Sequence, residues 1–264
     1  MKLKIALVQF ARGENFKDNV ERMRKILSSI KNVEIVCLPE AWVGKALILK
    51  PEDVNHILSS IGEIAKRNRF NIILGGFFTK RENRIISTCH LINSRGEVVG
   101  FTDKLFPSAA VGERRFASFG EKLEVFTVNN VKFGVVICVD IMYPEIVRKL
   151  ALNDAKIIFN PANIPKNRIK LWEHIGITRA SENTVYYVFV NNTKTTYPDG
   201  RKVMGESFIA APNGEIVFKA DESENVFHVK LDLSTIEKVR ERWPYLSDIK
   251  NLKTLNNPSM KNIT

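Results

Sequence analysis

The chain has 264 residues, 44% hydrophobic and 26% charged, which is the range of an ordinary globular protein and argues against disorder. Lys and Arg total 40 against 29 acidic residues, a net charge of +11, but the basic groups are short and scattered ("KRNR", "KRENR", "VRER"). Without an arginine-rich block, an RNA-binding strand signature or zinc-finger spacing, the charge describes a solvated surface and no nucleic-acid partner is expected.

Leaders, spans and staples are equally absent from the pattern. The apolar run after "MKLK" is too short for a secretory leader, and no stretch approaches the roughly 18 apolar residues of a membrane span. A cytoplasmic protein with no membrane partner is therefore expected. Cys37, Cys89 and Cys138 form no C-x-x-C pair, so neither a disulfide framework nor a structural metal is expected, and no cofactor is implied.

Taken in chain order, "KIALVQF" (4–10) is a short apolar strand, and Val20, Met23, Ile26, Leu27 and Ile30 recur at helical spacing. "EIVCLPE" (34–40) reads as a buried strand stopped by Pro39, 51–69 as a helix with Pro51 near its start, and "NIILGGFF" (71–78) as a strand. Residues 85–101 read as a hairpin about Asn93–Gly96, and 124–138 as another turning at Asn129–Asn130. Helix 145–155, strand 156–163, helix 168–183, strand 184–191 and a hairpin over 206–220 on Pro212–Gly214 complete the pattern. The tail from about 243 to 264 is polar and reads as an extended arm. No linker or repeat divides the chain, so a single domain is expected: a sheet-rich α/β or α+β sandwich with helices on its outer faces.

Three reactive side chains fall just past strand ends, where α/β folds gather their sites. They are Glu40 after "VCLP", Lys104 in "GFTDKLFP" and Cys138 after "FGVVI". Cysteine catalysis needs a base for the thiol, a stabiliser for the oxyanion and a proton donor for the leaving group, and a carboxylate with an ammonium can supply all three. Each residue alone also has an ordinary reading, as a buried cysteine or a surface ion-pair member.

Seven stretches taken together carry more. "LPE" with Glu40, "DKLFP" with Lys104, "GERRFASFG" with Glu113, "CVDIMYPE" with Cys138, "NPAN" (160–163), "TRASEN" (178–183) and "GESFIAAPNGE" (205–215) stand in one order over nearly the whole chain. In these the sequence resembles the nitrilase superfamily of carbon–nitrogen hydrolases, marked by a Glu–Lys–Cys triad. The resemblance implies a four-layer αββα sandwich and a homodimer, or a higher even oligomer, packed through helices. The 168–183 helix and the tail after Trp243 are the expected contacts; Trp172 and Ile175 read equally as core and as interface.

The same resemblance implies roles. Glu40 would be the general base, Cys138 the nucleophile favoured as thiolate by Lys104 and a helix start at Tyr143–Pro144, and Lys104 with the Val139 N–H the oxyanion donors. Glu113 matches the superfamily's second glutamate, which orients the substrate or the lysine; as a plain residue it reads as a surface carboxylate. Trp42, Lys45, Met142 and Asn163 are the candidate pocket residues.

Departures from the pattern bear on specificity. Val139 stands where an aromatic is common, and Met142 where many members have an arginine, so a substrate carboxylate has no arginine there. Members acting on nitriles often read Cys–Trp–Glu, whereas this chain reads Cys–Val–Asp, which leans toward amides. Lys45 replaces an aromatic after Gly44 and either faces the pocket, favouring an acidic group, or is a solvated loop lysine. The leading expectation is hydrolysis of a small primary amide or N-carbamoyl compound. The alternatives are a nitrilase acting on a nitrile, a glutaminase-type ammonia supplier, and a basic binding protein without turnover.

Overall fold

The computed structural model describes residues 1–252. Two sheets form its centre. In the larger, eight-stranded sheet, Lys2–Gln9 is flanked by antiparallel Asn225–Asp232 and parallel Ile35–Cys37, and the order continues through Asn71–Ile73 to Arg84–Ile92. The smaller sheet has six strands, with Val131–Val135, Ile157–Ala162 and Tyr186–Asn191 parallel at its middle and a hairpin at each edge.

The layering follows from the alternation of side chains along each strand. In the first strand Leu3, Ile5 and Leu7 join a cluster that also holds Phe126, Phe133, Val135 and Phe159 of the second sheet. Ala6 and Val8 join a different cluster, with Val20, Met23 and Leu27 of the helix Phe16–Ser29 and Ile57, Ile61 and Ile64 of the helix Pro51–Asn68. One face of that sheet thus meets the other sheet, and the opposite face meets two helices. The helices Pro144–Leu152 and Ile169–Asn183 contribute Ile146, Val147, Leu150, Ile169, Trp172 and Ala180 beside the second sheet. Helix, sheet, sheet, helix is the αββα sandwich. Trp172 is 5% exposed and belongs to the core, while Ile175 is half-buried and packs against the edge of the same cluster.

Local chemistry explains the boundaries. The Asn15 side chain accepts from the N–H groups of Lys17 and Asp18 and so caps the first helix. The Asn129–Asn130 hairpin turns with φ of 50° and 63°, a left-handed pair that asparagine tolerates. The run 71–78 is not one strand: it breaks into Asn71–Ile73 and Phe77–Arg81. Between them Gly75 has φ of 68°, and a Cβ there would stand 2.0 Å from the Pro39 carbonyl oxygen. That approach locks the chain just before Glu40.

The tail also departs from expectation. Within the range taken as an extended arm, Tyr245–Asn251 is helical, and Ser234–Arg242 just before it is a helix too. The arm's remainder, residues 253–264, lies outside the described residues. No helix among the described residues is long and apolar enough to cross a membrane.

Candidate active site

Glu40, Lys104 and Cys138 meet at one end of the two sheets. Glu40 follows Ile35–Cys37, and its carbonyl accepts from the Asn192 side chain at 2.6 Å. Ala41, with φ of 53°, then turns the chain away, its N–H donating to the Gly76 carbonyl at 2.7 Å. Lys104 follows Val98–Asp103, and its N–H donates to the Ser87 carbonyl at 2.8 Å. Gly120 backs this position: a Cβ on it would lie 2.5 Å from the Lys104 carbonyl oxygen, so no other residue fits without moving the lysine.

Cys138 follows Val131–Val135 and opens a short 3-10 turn, Cys138–Met142. Its φ is 49°, a left-handed conformation costing on the order of 1–3 kcal/mol for a non-glycine residue. The surroundings hold it there. Asn160 donates to the carbonyls of Val136 and Cys138 at 2.6 and 3.2 Å, and its own side-chain oxygen accepts from the Tyr187 hydroxyl at 2.7 Å. The Val139 N–H, one of the first in this turn, belongs to the donors a helix start leaves without an intrahelical acceptor.

Asp140 ties the two halves of the site together. Its carboxyl oxygens accept from the backbone N–H groups of Leu105 and Phe106 at 2.7 and 2.9 Å, joining the turn after Lys104 to the turn after Cys138. Burial pushes its pKa up to about 7 against the pull of those two donors. In the sequence Asp140 bears on specificity only, through the Cys–Val–Asp run; its role as a tie between the two turns was not foreseen.

The electrostatics concentrate on Lys104, which is 1% exposed. Its ammonium lies 2.8 Å from Glu40 and 2.7 Å from Glu113. Burial opposes its charge, but Glu40, Cys138 and Glu113 together carry its pKa well above the ordinary value. Burial raises the Glu40 pKa, Lys104 opposes the rise and Glu113 adds to it, while the Cys138 thiol is a hydrogen-bonding neighbour. Glu113 is fixed from its other side by the Ser108 N–H at 2.6 Å, so it is a member of the buried cluster and not a surface carboxylate.

The expected pull of Lys104 toward the thiolate is present but outweighed. Burial, then the charge of Glu40, push the Cys138 pKa well above its ordinary value, and Lys104 and the Asn163 N–H only partly offset them. Lys104 is committed to two carboxylates, so only part of its charge favours the thiolate of Cys138.

A cavity of about 600 Å³ opens beside this cluster, lined among others by Glu40, Glu113, Asn163, Arg12, Lys45 and Tyr197. Cys138, 6% exposed, is not among the residues lining it, whereas its neighbours Glu40 and Asn163 are. Of the four pocket candidates, Lys45 and Asn163 face the cavity. Asn163's side chain is already occupied: it donates to the Tyr197 hydroxyl at 2.9 Å and accepts from Asn192 at 3.0 Å. It is a strut in the wall.

The other two candidates do not line the cavity. Trp42 is fully buried in the helix-side core with its indole N–H on the Leu74 carbonyl at 2.6 Å, because the left-handed Ala41 reverses the chain's direction. Met142 packs against the inter-sheet core, and its carbonyl accepts from Arg179 at 3.3 Å, as that of Ile141 does at 3.1 Å. The backbone at Met142 is thus braced by an arginine from the helix Ile169–Asn183.

Among the wall residues the sequence did not point to are Arg12 and Tyr197. Arg12 lies just past the first strand, a strand-end position like those of the triad residues. Tyr197 belongs to a small hairpin between Thr195–Thr196 and Lys202–Val203, for which "YPDG" was the turn signal. No group of His, Cys, Asp and Glu suited to holding a metal ion occurs among the described residues.

Comparisons with known proteins bear on the family and the fold. The family model described as carbon-nitrogen hydrolase matches residues 4–241. The "Hydrolase in agr operon" of Staphylococcus aureus is 28% identical over 258 residues, covering 95% of this chain and 98% of that protein. A 2-oxoglutaramate amidase of Bacillus subtilis is 27% identical over 225 residues, covering 83% and 86%. Among solved structures, a carbon-nitrogen hydrolase from Helicobacter pylori superposes with a TM-score of 0.86 at 22% identity, covering 94% of this chain and 95% of that one. With the family model spanning nearly all of the sandwich, the chain belongs to the carbon-nitrogen hydrolase family, in the nitrilase superfamily.

Proposed function

We propose that this protein is an amidase that hydrolyses a small primary amide or N-carbamoyl compound through a thioester on Cys138. The observation that carries the reading is the buried Glu40–Lys104–Glu113 cluster beside a thiol held at a left-handed turn, with a cavity at its side. Relatives named as amidases support it.

The chemistry follows from the resting charges. Glu40 takes the thiol proton as the sulfur attacks the amide carbon, a transfer favoured by a carboxylate whose pKa is raised toward neutrality. The carbonyl oxygen becomes an oxyanion held by the Lys104 ammonium and the Val139 N–H, the kind of contact worth about 3–4 kcal/mol when one donor is removed. Glu40 then returns its proton to the departing nitrogen, ammonia leaves, and the acyl group remains on sulfur. Water, deprotonated by Glu40, attacks the thioester; the acid leaves and the thiol is restored. Glu113 holds Lys104 in place through the whole sequence.

Ammonia release from amides, N-carbamoyl amines, glutamine and nitriles, with Cys138→Ala beside the wild type, tests the proposal. Amide turnover that disappears in the variant is the expected result. Turnover of nitriles alone would move the reading to a nitrilase, and turnover of glutamine alone to an ammonia supplier. Silence toward the whole set, with Cys138 inert to iodoacetamide, would leave a binding protein.

A further inference from the structure

The cavity wall carries positive charge that its own contacts do not use. Of its other cations, Arg201 is answered by Asp199 at 2.7 Å and Arg115 is exposed to solvent; Lys104, beside the wall, is held by its two glutamates. Lys45 has no such answer. Its ammonium is buried without a hydrogen-bond partner among the described residues, and it sits 4.4 Å from the centre of the Tyr197 ring. A buried ammonium ordinarily carries a partner, because desolvating an unpaired charge is costly.

Arg12 adds a second unused donor set. It is 7% exposed, and among the described residues its guanidinium makes one hydrogen bond, to the Ala41 carbonyl at 2.9 Å. The fork has five N–H donors, so most remain available. Both cations line the same cavity as Glu40; burial leads the lowering of both pKa values, and for Lys45 the like charge of Arg12 comes next. The Tyr197 ring between Lys45 and the strut Asn163 is fixed through its hydroxyl. These are the parts of a built anion site whose anion the protein itself does not provide.

We propose that Lys45 and Arg12 form a subsite for a carboxylate at the far end of the substrate, so that the preferred substrates are amides that carry a carboxylate. The inference rests on the amidase reading. One ammonium and one guanidinium edge match the two oxygens of a planar monoanion. Glu40, Glu113 and Asp199 on the same wall repel a second negative charge, which disfavours more highly charged anions.

The test compares ammonia release from succinamate, butanamide and 4-aminobutanamide by the wild type, Lys45→Met and Lys45→Glu. The wild type is expected to favour succinamate over butanamide in kcat/KM by at least about tenfold. Lys45→Met is expected to reduce that ratio by about tenfold or more, chiefly through KM, and Lys45→Glu to move the preference to 4-aminobutanamide. A wild type without the preference, or a Lys45→Met variant that keeps it, overturns the subsite while the amidase reading stands. Should no amide be turned over, the amidase reading falls separately, and calorimetry of succinate on Cys138→Ala decides the subsite. Binding weakened about tenfold by adding Lys45→Met would support it, and no binding would overturn it.

Discussion

Two lysines a short way apart in one site have opposite fates. Burial opposes the charge of both, yet the pKa of Lys104 is raised and that of Lys45 lowered. The difference is in what faces them. Lys104 has two carboxylates within 2.8 Å, whereas Lys45 has an aromatic ring and, as its next influence after burial, the like charge of Arg12. The first arrangement is finished before any substrate arrives, which is what a stabiliser of developing charge requires. The second is incomplete, which is what a recognition site requires.

The sharpest way to break this contrast is to remove each ammonium in turn. Lys104→Met leaves Glu40 and Glu113 buried without their cation, so stability should fall by about 3–5 kcal/mol. Amide turnover should fall by on the order of 10³-fold or more, since an oxyanion donor is lost together with the charge that steadies the base. Lys45→Met removes an unpaired cation and should leave the unfolding temperature unchanged or higher. Thermal unfolding and ammonia release on both variants check this. Equal thermal losses at the two positions would mean that Lys45 is paired in solution and that the contrast is wrong.

A smaller effect is expected from the link between the two catalytic turns. Asp140→Asn keeps one acceptor but sets an amide N–H₂ against the second backbone donor, which costs about 1–3 kcal/mol for an unsatisfied buried group. The displaced turns should lower kcat by roughly tenfold to a hundredfold, because small misplacements of reacting groups are costly. KM should move less, since Asp140 is not among the residues lining the cavity. Steady-state kinetics separate the two, and a change in KM alone would show that Asp140 does not position the reacting groups.

The corner where Glu40, Lys104 and Cys138 meet was legible in the sequence, and the cavity wall only in part: Lys45 and Asn163 were, Arg12 and Tyr197 were not. Glu40, Lys104 and Cys138 each end a recognisable apolar run, so strand pattern and residue type together placed them. The wall is set by backbone turns that carry no period. Trp42 looked like a pocket residue because it is next but one to Glu40, yet the positive φ of Ala41 sends it into the core. The hairpin that brings Tyr197 over the cavity has strands of two residues each, too short for any alternation to register. "NIILGGFF" looked like one strand because its apolar residues are continuous; the break depends on how closely Gly75 approaches Pro39, a contact between segments far apart in sequence. The charge balance at Cys138 likewise depends on contacts between distant segments. Lys104 near Cys138 suggests a thiolate until its two carboxylates are counted.

That last point gives the finest test, a shift along the pH axis. In the proposed mechanism Glu40 must be ionised to accept the thiol proton, and burial and Glu113 hold its pKa above the ordinary value of 4.5. The kcat/KM for a substrate without a titrating group should therefore rise with pH through a midpoint above 4.5, since activity requires the deprotonated form. Because the Cys138 pKa lies well above 9.0, the profile should then level off, with no second rise until strongly alkaline pH. A resting thiolate would instead carry the nucleophile's ionisation on the acid side. Glu113→Gln removes a negative charge that raises the Glu40 pKa, so the acid limb should move to lower pH in that variant even as the rate falls. A limb that stays in place would mean that Glu40 is not the group being titrated, and that the proton leaves the thiol by another route.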